Sequence, residues 1–249
     1  MFVYSCATPI RLAPCEAWAA AHGWELDASE YPFYRGGDAA VWGLIRGAKL
    51  VKQAVKVSKA TYYALDNAYL RRNHYYRVTR NGFQHTQVVE RPSDRWKTLG
   101  LEVKPWRKDG RKILVCESSK HCFGYLESPH WTLDIVGRLR EITQRPVEIR
   151  PKVMHGVISP RELRNVWAVV THVSACAVDA LLYGVPVFVT GPGAALPLSG
   201  RLEDIERPVY PDRTPFFRSL AYAQFSVNEI RRGVAKQILD DTPIEWEHL

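Results

Sequence analysis

Apolar and polar positions follow each other along the first half of the chain in a pattern typical of alternating strands and helices. Apolar runs predict strands over residues 1–7 and 61–65. Helical spacing of apolar residues predicts helices over residues 14–22 and 39–58. Pro14 suits a first helical turn, and Gly23 suits the residue after a helix end. Residues 71–107 are polar, basic and interrupted by proline, and they receive no assignment.

The pattern restarts at Lys112 and predicts a second α/β unit. Strands are predicted over residues 113–116, 147–150, 167–171 and 186–190, and helices over residues 130–143, 160–165, 174–183 and 226–240. Residues 117–124 between the first strand and helix are polar and predict a loop. Ser174 is a suitable N-cap, and Ser226 with Glu229 has capping-box spacing. Strands that alternate with helices predict an α/β class with parallel sheets.

Composition places the chain among ordinary globular proteins. Of its 249 residues, 46% are apolar and 24% are charged, which allows one extended domain or the two small lobes that we favour. Its five cysteines are an odd number without a CxxC pair, which favours a reduced, cytoplasmic compartment and predicts no metal site. Glycine, proline and Asp179 interrupt the most apolar stretch, residues 177–198, so we expect no membrane partner.

The charge balance is basic, with 34 Lys and Arg against 26 Asp and Glu. A net charge of +8 attracts polyanions or phosphorylated substrates. Much of the excess lies between residues 46 and 112, interleaved with Tyr62, Tyr75 and Phe83. This region is either a solvated basic face with core aromatics or a polyanion-binding face with stacking rings.

Residues 169–193, VVTHVSACAVDALLYGVPVFVTGPG, read as strand, turn, helix, strand and glycine turn. The turn from Thr171 to Ser174 would bring hydroxyls and free helix N–H groups to one point, which suits an anionic diphosphate. Gly191 and Gly193 would let a ligand approach the backbone closely.

Polar residues also follow the other predicted strands of this half. They are Ser118, Ser119 and Lys120 after the first strand, and Arg150 and Lys152 at the end of the second. All these groups would meet at one sheet edge, where nucleotides bind. Ser174 is also expected as an ordinary N-cap in any α/β protein, and His172 could be a packed turn residue. Lys120, Arg150, Lys152 and Arg213 are candidates for stabilising a leaving phosphate.

The segment 169–193 resembles the C-terminal domain of GT-B glycosyltransferases. The resemblance implies that Thr171, His172 and Ser174 contact the phosphates of a nucleotide sugar, with Asp179 near the position where the family often binds ribose. Residues 149–152, IRPK, resemble the RPHP motif of capsule-type sugar transferases, with Lys152 in place of the usual His.

A second resemblance covers residues 75–85, 113–119 and 202–235 and is to glycosyltransferase-type proteins of tailed bacteriophages. It implies transfer from a nucleotide sugar, expected to be a UDP-sugar, to 5-hydroxymethylpyrimidines of double-stranded DNA in the host cytoplasm, without a bound cofactor. The expected GT-B-like arrangement has an acceptor lobe over residues 1–108, a donor lobe over residues 109–225 and a C-terminal helix, residues 226–249, that packs back across the cleft. The DNA-contacting set would be Lys49, Lys52, Lys56, Arg71, Arg72, Arg77 and Arg80.

Transfer to a hydroxyl needs a base if it inverts the anomeric centre, and Asp38 and Asp66 are the candidates. Asp38 could instead be a helix N-cap, and Asp66 a turn residue. GT-B enzymes commonly act without a catalytic metal, so the resemblance implies none here. Two alternatives remain open: a transferase acting on a cell-surface or lipid-linked glycan, and a non-catalytic phage protein that binds nucleotide or DNA. The sequence assigns no oligomeric state.

Overall fold

A computed structural model describes residues 1–6, 12–44, 47–72, 74–126, 128–152 and 157–242. The strands are β1 Phe2–Tyr4, β2 Glu25–Asp27, β3 Ala39–Trp42, β4 Tyr62–Asn67, β5 Tyr76–Arg80, β6 Lys112–Cys116, β7 Val147–Arg150, β8 Val166–Thr171, β9 Val187–Val189 and β10 Gln224–Phe225. The α-helices are α1 Leu12–His22, α2 Ala48–Val57, α3 Asp94–Leu99, α4 Lys120–Tyr125, α5 Trp131–Ile142, α6 Cys176–Leu182, α7 Thr214–Ala221, α8 Val227–Arg231 and α9 Val234–Asp240.

The chain forms two compact units, and the first is discontinuous. Unit 1 comprises residues 1–85 and 220–249, and unit 2 comprises residues 86–219. These boundaries differ from the predicted ones, since residues 86–108 belong to unit 2 and residues 220–225 belong to unit 1. The C-terminal helices α8 and α9 contact α1 and β5 of unit 1.

Unit 1 contains a six-stranded sheet in the order β10-β5-β4-β3-β1-β2. Strands β1 to β4 pair in parallel, whereas β5 runs antiparallel to both β4 and β10. Successive residues of β1 enter different cores, because side chains alternate between the faces of a strand. Val3 packs with α1, α8 and α9, and Tyr4 packs with α2. The sheet therefore has helices on both faces.

Unit 2 contains a four-stranded, fully parallel sheet in the order β7-β6-β8-β9. Its core joins Ile113 and Val115 of β6 with Leu139 of α5 and Val170 of β8. The predicted α/β class is confirmed. The sheet of unit 2 is parallel throughout, as predicted, whereas the sheet of unit 1 is mixed, because β5 runs antiparallel to its two neighbours.

Four predicted elements are wrong in detail. Residues 39–42, predicted as the start of a helix, form the buried strand β3. Residues 160–165 form turns rather than a helix, and residues 120–125 form α4 within the predicted loop. The predicted helix 226–240 is divided at Gly233, whose φ of 75° is left-handed, although its capping box is present. Within the described residues, no helix is long and apolar enough to cross a membrane.

Candidate functional site at the edge of the second sheet

The carboxyl ends of β6, β7, β8 and β9 meet at one edge of the second sheet, because all four strands are parallel. The segments that leave this edge carry most of the predicted donor-site residues, in residues 117–120, 150–152, 171–176 and 190–193. The same edge of open α/β sheets is where ligands usually bind. We take this edge as the candidate site.

Hydrogen bonds connect the ends of β6 and β8 at the centre of this edge. The hydroxyl of Thr171 donates to the carbonyl of Cys116 at 2.7 Å and accepts from the N–H of Ser174 at 3.3 Å. Ser174 Oγ in turn accepts from the N–H of Cys176 at 3.4 Å. Thr171 is fully buried, so its hydroxyl shapes the turn rather than facing a ligand. The helix itself begins at Cys176, two residues later than predicted.

The two serines after β6 are also engaged with the backbone. Ser118 is buried, and its hydroxyl accepts from the N–H of Val173 at 3.4 Å. Ser119 is the N-cap of α4 and accepts from the N–H of Cys122 at 3.2 Å. Lys120, the first residue of α4, is exposed. Of the three predicted donor-site residues in this segment, Lys120 is therefore the one best placed to reach an anion.

His172 lies in a buried pocket of side chains at the ends of β8 and β9. Its Nδ1 is 3.2 Å from Thr190 Oγ1, which also accepts from the indole N–H of Trp131 at 2.7 Å. Burial lowers the pKa of His172, which keeps its ring neutral at pH 7. A Cβ on Gly191 would lie 2.5 Å from His172 Cε1, so only glycine fits against the ring. The glycine turn predicted for ligand approach thus also accommodates a histidine.

Arg150, the last residue of β7, is held by an ion pair that sequence reasoning missed. Its Nε donates to Glu162 Oε1 at 2.7 Å, and its Nη1 lies 3.5 Å from Cys176 Sγ. Burial alone would raise the pKa of Glu162, but hydrogen bonds from Ser159 and Arg150 outweigh it and lower the pKa to about 2. Lys152, two residues beyond Arg150, is exposed.

The thiols of Cys116 and Cys176 share a hydrogen bond at the same edge. That hydrogen bond raises the pKa of Cys116, which burial raises further. The same bond, together with Ser174 and Arg150, lowers the pKa of Cys176. No local sequence pattern predicts this pair, because the two cysteines are far apart in the chain.

Two predicted donor-site residues are not brought to the exposed edge. Asp179 is 3% exposed, and its Oδ2 accepts from the N–H of Ile158 at 3.4 Å. Arg213 is buried, and its guanidinium donates to the carbonyls of Leu181 and Lys104. Leu181 is near the end of α6, so Arg213 lies at the opposite end of that helix from Ser174.

The two carboxylates predicted as catalytic bases lie at opposite ends of the parallel strands of the first sheet. Asp38 precedes β3 and accepts from the N–H of Thr61 at 2.8 Å. It is therefore not the helix N-cap that the alternative interpretation predicted. Asp66, near the carboxyl end of β4, pairs with Arg77 at 2.9 Å and accepts from the N–H of Asn67 at 2.7 Å. Asp66 alone lies at the edge where open α/β sheets bind ligands.

The predicted DNA-contacting residues do not share one exposed surface. Arg77 and Lys52 are buried, and both lie against aromatic rings. The guanidinium carbon of Arg77 is 4.2 Å from the ring centroid of Phe83. Arg80 Nε lies 3.6 Å from Asp240 Oδ1. Lys56 and Arg71 are exposed, and Lys49 and Arg72 are half-buried. Assigning Arg77 and Lys52 to a DNA surface is therefore wrong, because buried side chains do not reach phosphates.

Several residues of the site had weak sequence signals. Ser159 and Glu162 have capping-box spacing, and the structure shows the reciprocal bonds, with the N–H of Ser159 donating to Glu162 at 2.8 Å and that of Glu162 donating to Ser159 Oγ at 3.3 Å. Thr190 and Trp131 had none, since their contact with His172 joins residues distant in the chain. Among the described residues, no group of three or more His, Cys, Asp and Glu could hold a metal ion.

Comparisons with known proteins give similarity at the level of the fold. No known protein family profile matches the chain, and no curated protein sequence matches it. A solved structure of Thermosulfurimonas dismutans KpsC, beta Kdo 2,7 transferase, is similar, with a TM-score of 0.56 and 11% identity over 96% of this chain and 98% of that one. The beta Kdo 2,4 transferase of KpsC from the same organism is similar too, with a TM-score of 0.54 and 13% identity over 92% of this chain and 97% of that one. The chain thus has a glycosyltransferase-like fold.

Proposed function

We propose that the protein is a glycosyltransferase that binds a nucleotide sugar at the carboxyl edge of the second sheet. The observation that carries the proposal is the convergence of Lys120, Arg150, Lys152 and His172 on one edge of a fully parallel sheet. Two of these cations are exposed, and a neutral histidine lies among them. This combination suits a phosphate group that carries negative charge and accepts hydrogen bonds.

In the proposed reaction, an acceptor hydroxyl oxygen forms a bond to the anomeric carbon of the sugar. The bond from that carbon to the phosphate oxygen breaks, and the nucleotide leaves with the electron pair. Lys120 and Lys152 stabilise the charge that develops on the leaving phosphate. Arg150 is oriented by Glu162 and completes the positive side of the site. In this proposal no cofactor remains bound, and the nucleotide sugar, with UDP as the nucleotide, is a co-substrate.

Asp66 is the carboxylate that we propose as the base for the acceptor proton. Its side chain is 20% exposed and lies at the carboxyl end of β4, whereas Asp38 lies at the other edge of its sheet. Arg77 holds one oxygen of Asp66 at 2.9 Å and the Asn67 N–H holds the other at 2.7 Å, so the carboxylate has a fixed orientation. We expect Asp66→Asn to lower turnover and leave nucleotide affinity unchanged.

We propose a saccharide hydroxyl as the acceptor. The similar structures are named for Kdo transfer, and burial removes Arg77 and Lys52 from the basic set that favoured DNA. A 5-hydroxymethylpyrimidine in double-stranded DNA, which the phage resemblance implies, is the second candidate. Lys56 and Arg71 are exposed and favour this second candidate.

The first test is a thermal-shift screen of the protein against UDP-sugars and other nucleotide sugars. Binding at a hundredfold excess over Kd stabilises the folded state by about 2.7 kcal/mol, which gives a clear rise in Tm. Lys120→Ala and Lys152→Ala should reduce the rise, and Lys97→Ala, an exposed lysine of α3, should not. A screen in which no nucleotide raises the Tm would contradict the proposed donor site.

The acceptor is identified by mass spectrometry after the best nucleotide sugar has been found. The protein is incubated with that donor and either oligosaccharides or duplex DNA containing 5-hydroxymethylcytosine or 5-hydroxymethyluracil. A gain of one sugar mass on an oligosaccharide supports the proposal, and a gain on DNA replaces the saccharide by the second candidate. Nucleotide binding without a mass gain on any acceptor would favour a non-catalytic nucleotide-binding protein.

A further inference from the structure

Large apolar side chains are unusually exposed in one short stretch of unit 1. Phe33 is 87% exposed, Val57 84%, Tyr31 63% and Leu50 60%. Single exposed apolar residues are common on soluble proteins, but a contiguous group of them marks an interaction site.

Hydrogen bonds hold the loop that carries Tyr31 and Phe33 along the helix that carries Leu50 and Val57. The N–H of Gly47, just before α2, donates to the carbonyl of Glu30 at 3.2 Å. The hydroxyl of Tyr34 is 2.8 Å from that of Ser58, just after α2. The loop is thus attached at both ends of the helix, and it runs beside it.

Close packing at Pro32 turns the two neighbouring rings outward. Pro32 is buried, and a Cβ added to Gly47 would lie 2.5 Å from Pro32 Cδ. The residues on either side of this anchor, Tyr31 and Phe33, are both exposed. Any larger residue at position 47 would push the loop away from the helix.

The outer face of α2, along which the loop is held, carries the other two exposed apolar side chains. Leu50 and Val57 are seven residues apart and therefore lie on the same side of the helix, while Val51 and Val55 pack into the core. Lys56 and Lys59 are exposed beside Val57. We call Tyr31, Phe33, Leu50, Val57 and these two lysines the loop-helix surface.

We propose that the loop-helix surface docks on an anionic lipid bilayer. Aromatic and aliphatic side chains that project beside lysines are the features of helices and loops that lie in the membrane interface. The rings and the side chains of Leu50 and Val57 enter the boundary of the acyl chains, and Lys56 and Lys59 contact anionic headgroups. This peripheral contact differs from the sequence-based expectation of no membrane partner, and it needs no spanning helix.

Lipid docking by this surface is independent of the proposed transferase activity. The test is co-sedimentation of the full chain with vesicles of phosphatidylcholine containing phosphatidylglycerol, and with vesicles of phosphatidylcholine only. We expect binding to the anionic vesicles that salt weakens, and much weaker binding to the neutral ones. Equal binding to both, or none to either, would overturn the proposal.

Variants identify the surface that binds. Phe33→Ser and Val57→Ser should each lower the vesicle affinity about tenfold, since each removes a large apolar group from the interface. Lys56→Glu should lower it by more than about fivefold, because it replaces attraction by repulsion. The matched controls are Leu133→Ser, which changes a leucine 74% exposed on α5, and Lys97→Glu on α3.

Controls that lose as much vesicle affinity as the surface variants would refute this location. Sedimentation without vesicles separates lipid docking from self-association. A dimer that Phe33→Ser dissociates would assign the surface to a second copy of the chain and would overturn the membrane proposal.

Discussion

Replacing Arg77 with methionine is the sharpest test of whether this arginine is structural. Its side chain is 6% exposed and donates to Asp66 at 2.9 Å and to Gln84 at 2.9 Å, and its guanidinium carbon lies 4.2 Å from the Phe83 ring centroid. Methionine preserves much of the volume but leaves the two acceptors without this donor. Breaking a buried ion pair by removing one partner costs roughly 3–5 kcal/mol. Because Asp66 is 20% exposed, water relieves part of that cost, and we expect destabilisation by about 3 kcal/mol.

The assay is urea unfolding combined with hydrogen exchange of individual segments. Exchange separates the two units, which a single unfolding midpoint does not. Amides of β4 and β5 should lose protection in Arg77→Met, and amides of β6 and β8 should keep it. Lys56→Met, which changes an exposed lysine, should alter stability by less than about 0.5 kcal/mol.

A double-mutant cycle shows whether the loss comes from the ion pair itself. In the unmodified protein the N–H of Asn67 donates to Asp66 Oδ1 at 2.7 Å. Asp66→Asn removes the charge and retains an oxygen that can accept this hydrogen bond. The loss of unfolding free energy in the double variant should be smaller than the sum of the two single losses by at least about 1 kcal/mol. If Arg77→Met instead keeps its protection and loses DNA affinity, the burial argument fails and Arg77 is a surface phosphate contact.

Three further predictions concern the candidate site, the carboxylate of Asp240 in α9 and the N-cap of α8. Gly191→Ala should weaken nucleotide binding at least about tenfold, as measured by calorimetry, because the new Cβ would meet the ring of His172 at 2.5 Å. Asp240 accepts hydrogen bonds from Lys236 and Tyr63. Burial alone would raise the pKa of Asp240, but these bonds lower it below the usual 3.8. The stabilising effect of the carboxylate is therefore complete above about pH 4 and is lost as the pH falls through the lower folded-state pKa. Urea unfolding at several pH values in this range should show that the free energy of unfolding falls as the pH falls. Asp240→Asn should make this dependence on pH weaker. Ser226→Ala should destabilise unit 1 by about 1 kcal/mol, since it removes the acceptor for the N–H of Glu229, and an unchanged unfolding midpoint would contradict this.

The second sheet was largely predictable because β6, β8 and β9 are short apolar runs between clear turn signals. Strands 113–116 and 147–150 were located to within a residue. In the first unit, the apolar residues of β3 merged with the helical spacing of α2, so the pattern predicted one long helix. Gly43, with a left-handed φ of 70°, marks the true break between them.

Strands β5 and β10 were hidden for physical reasons. β5 contains Arg77 and Arg80, whose charges made the segment look exposed, yet Arg77 is buried by its pairing with Asp66. β10 has two residues and exists through its pairing with β5, so no local pattern predicts it.

The candidate site was predictable in place but not in detail. Strand ends identify the edge, and Lys120, Arg150 and His172 followed from that. Which side chains are free depends on contacts between distant segments, such as Glu162 with Arg150 and Arg213 with Leu181. Neither contact has a signal within its own stretch of chain.

The discontinuity of unit 1 has a consequence for the order of folding during synthesis. Unit 2 is one uninterrupted segment, residues 86–219, and is completely synthesised before β10, α8 and α9 emerge from the ribosome. Unit 1 lacks an edge strand and two helices of its core until then, and Phe225, Ile230 and Leu239 are part of that core. Unit 2 can thus reach its native state before residues 220–242 are available to unit 1, so we expect unit 2 to fold first during synthesis.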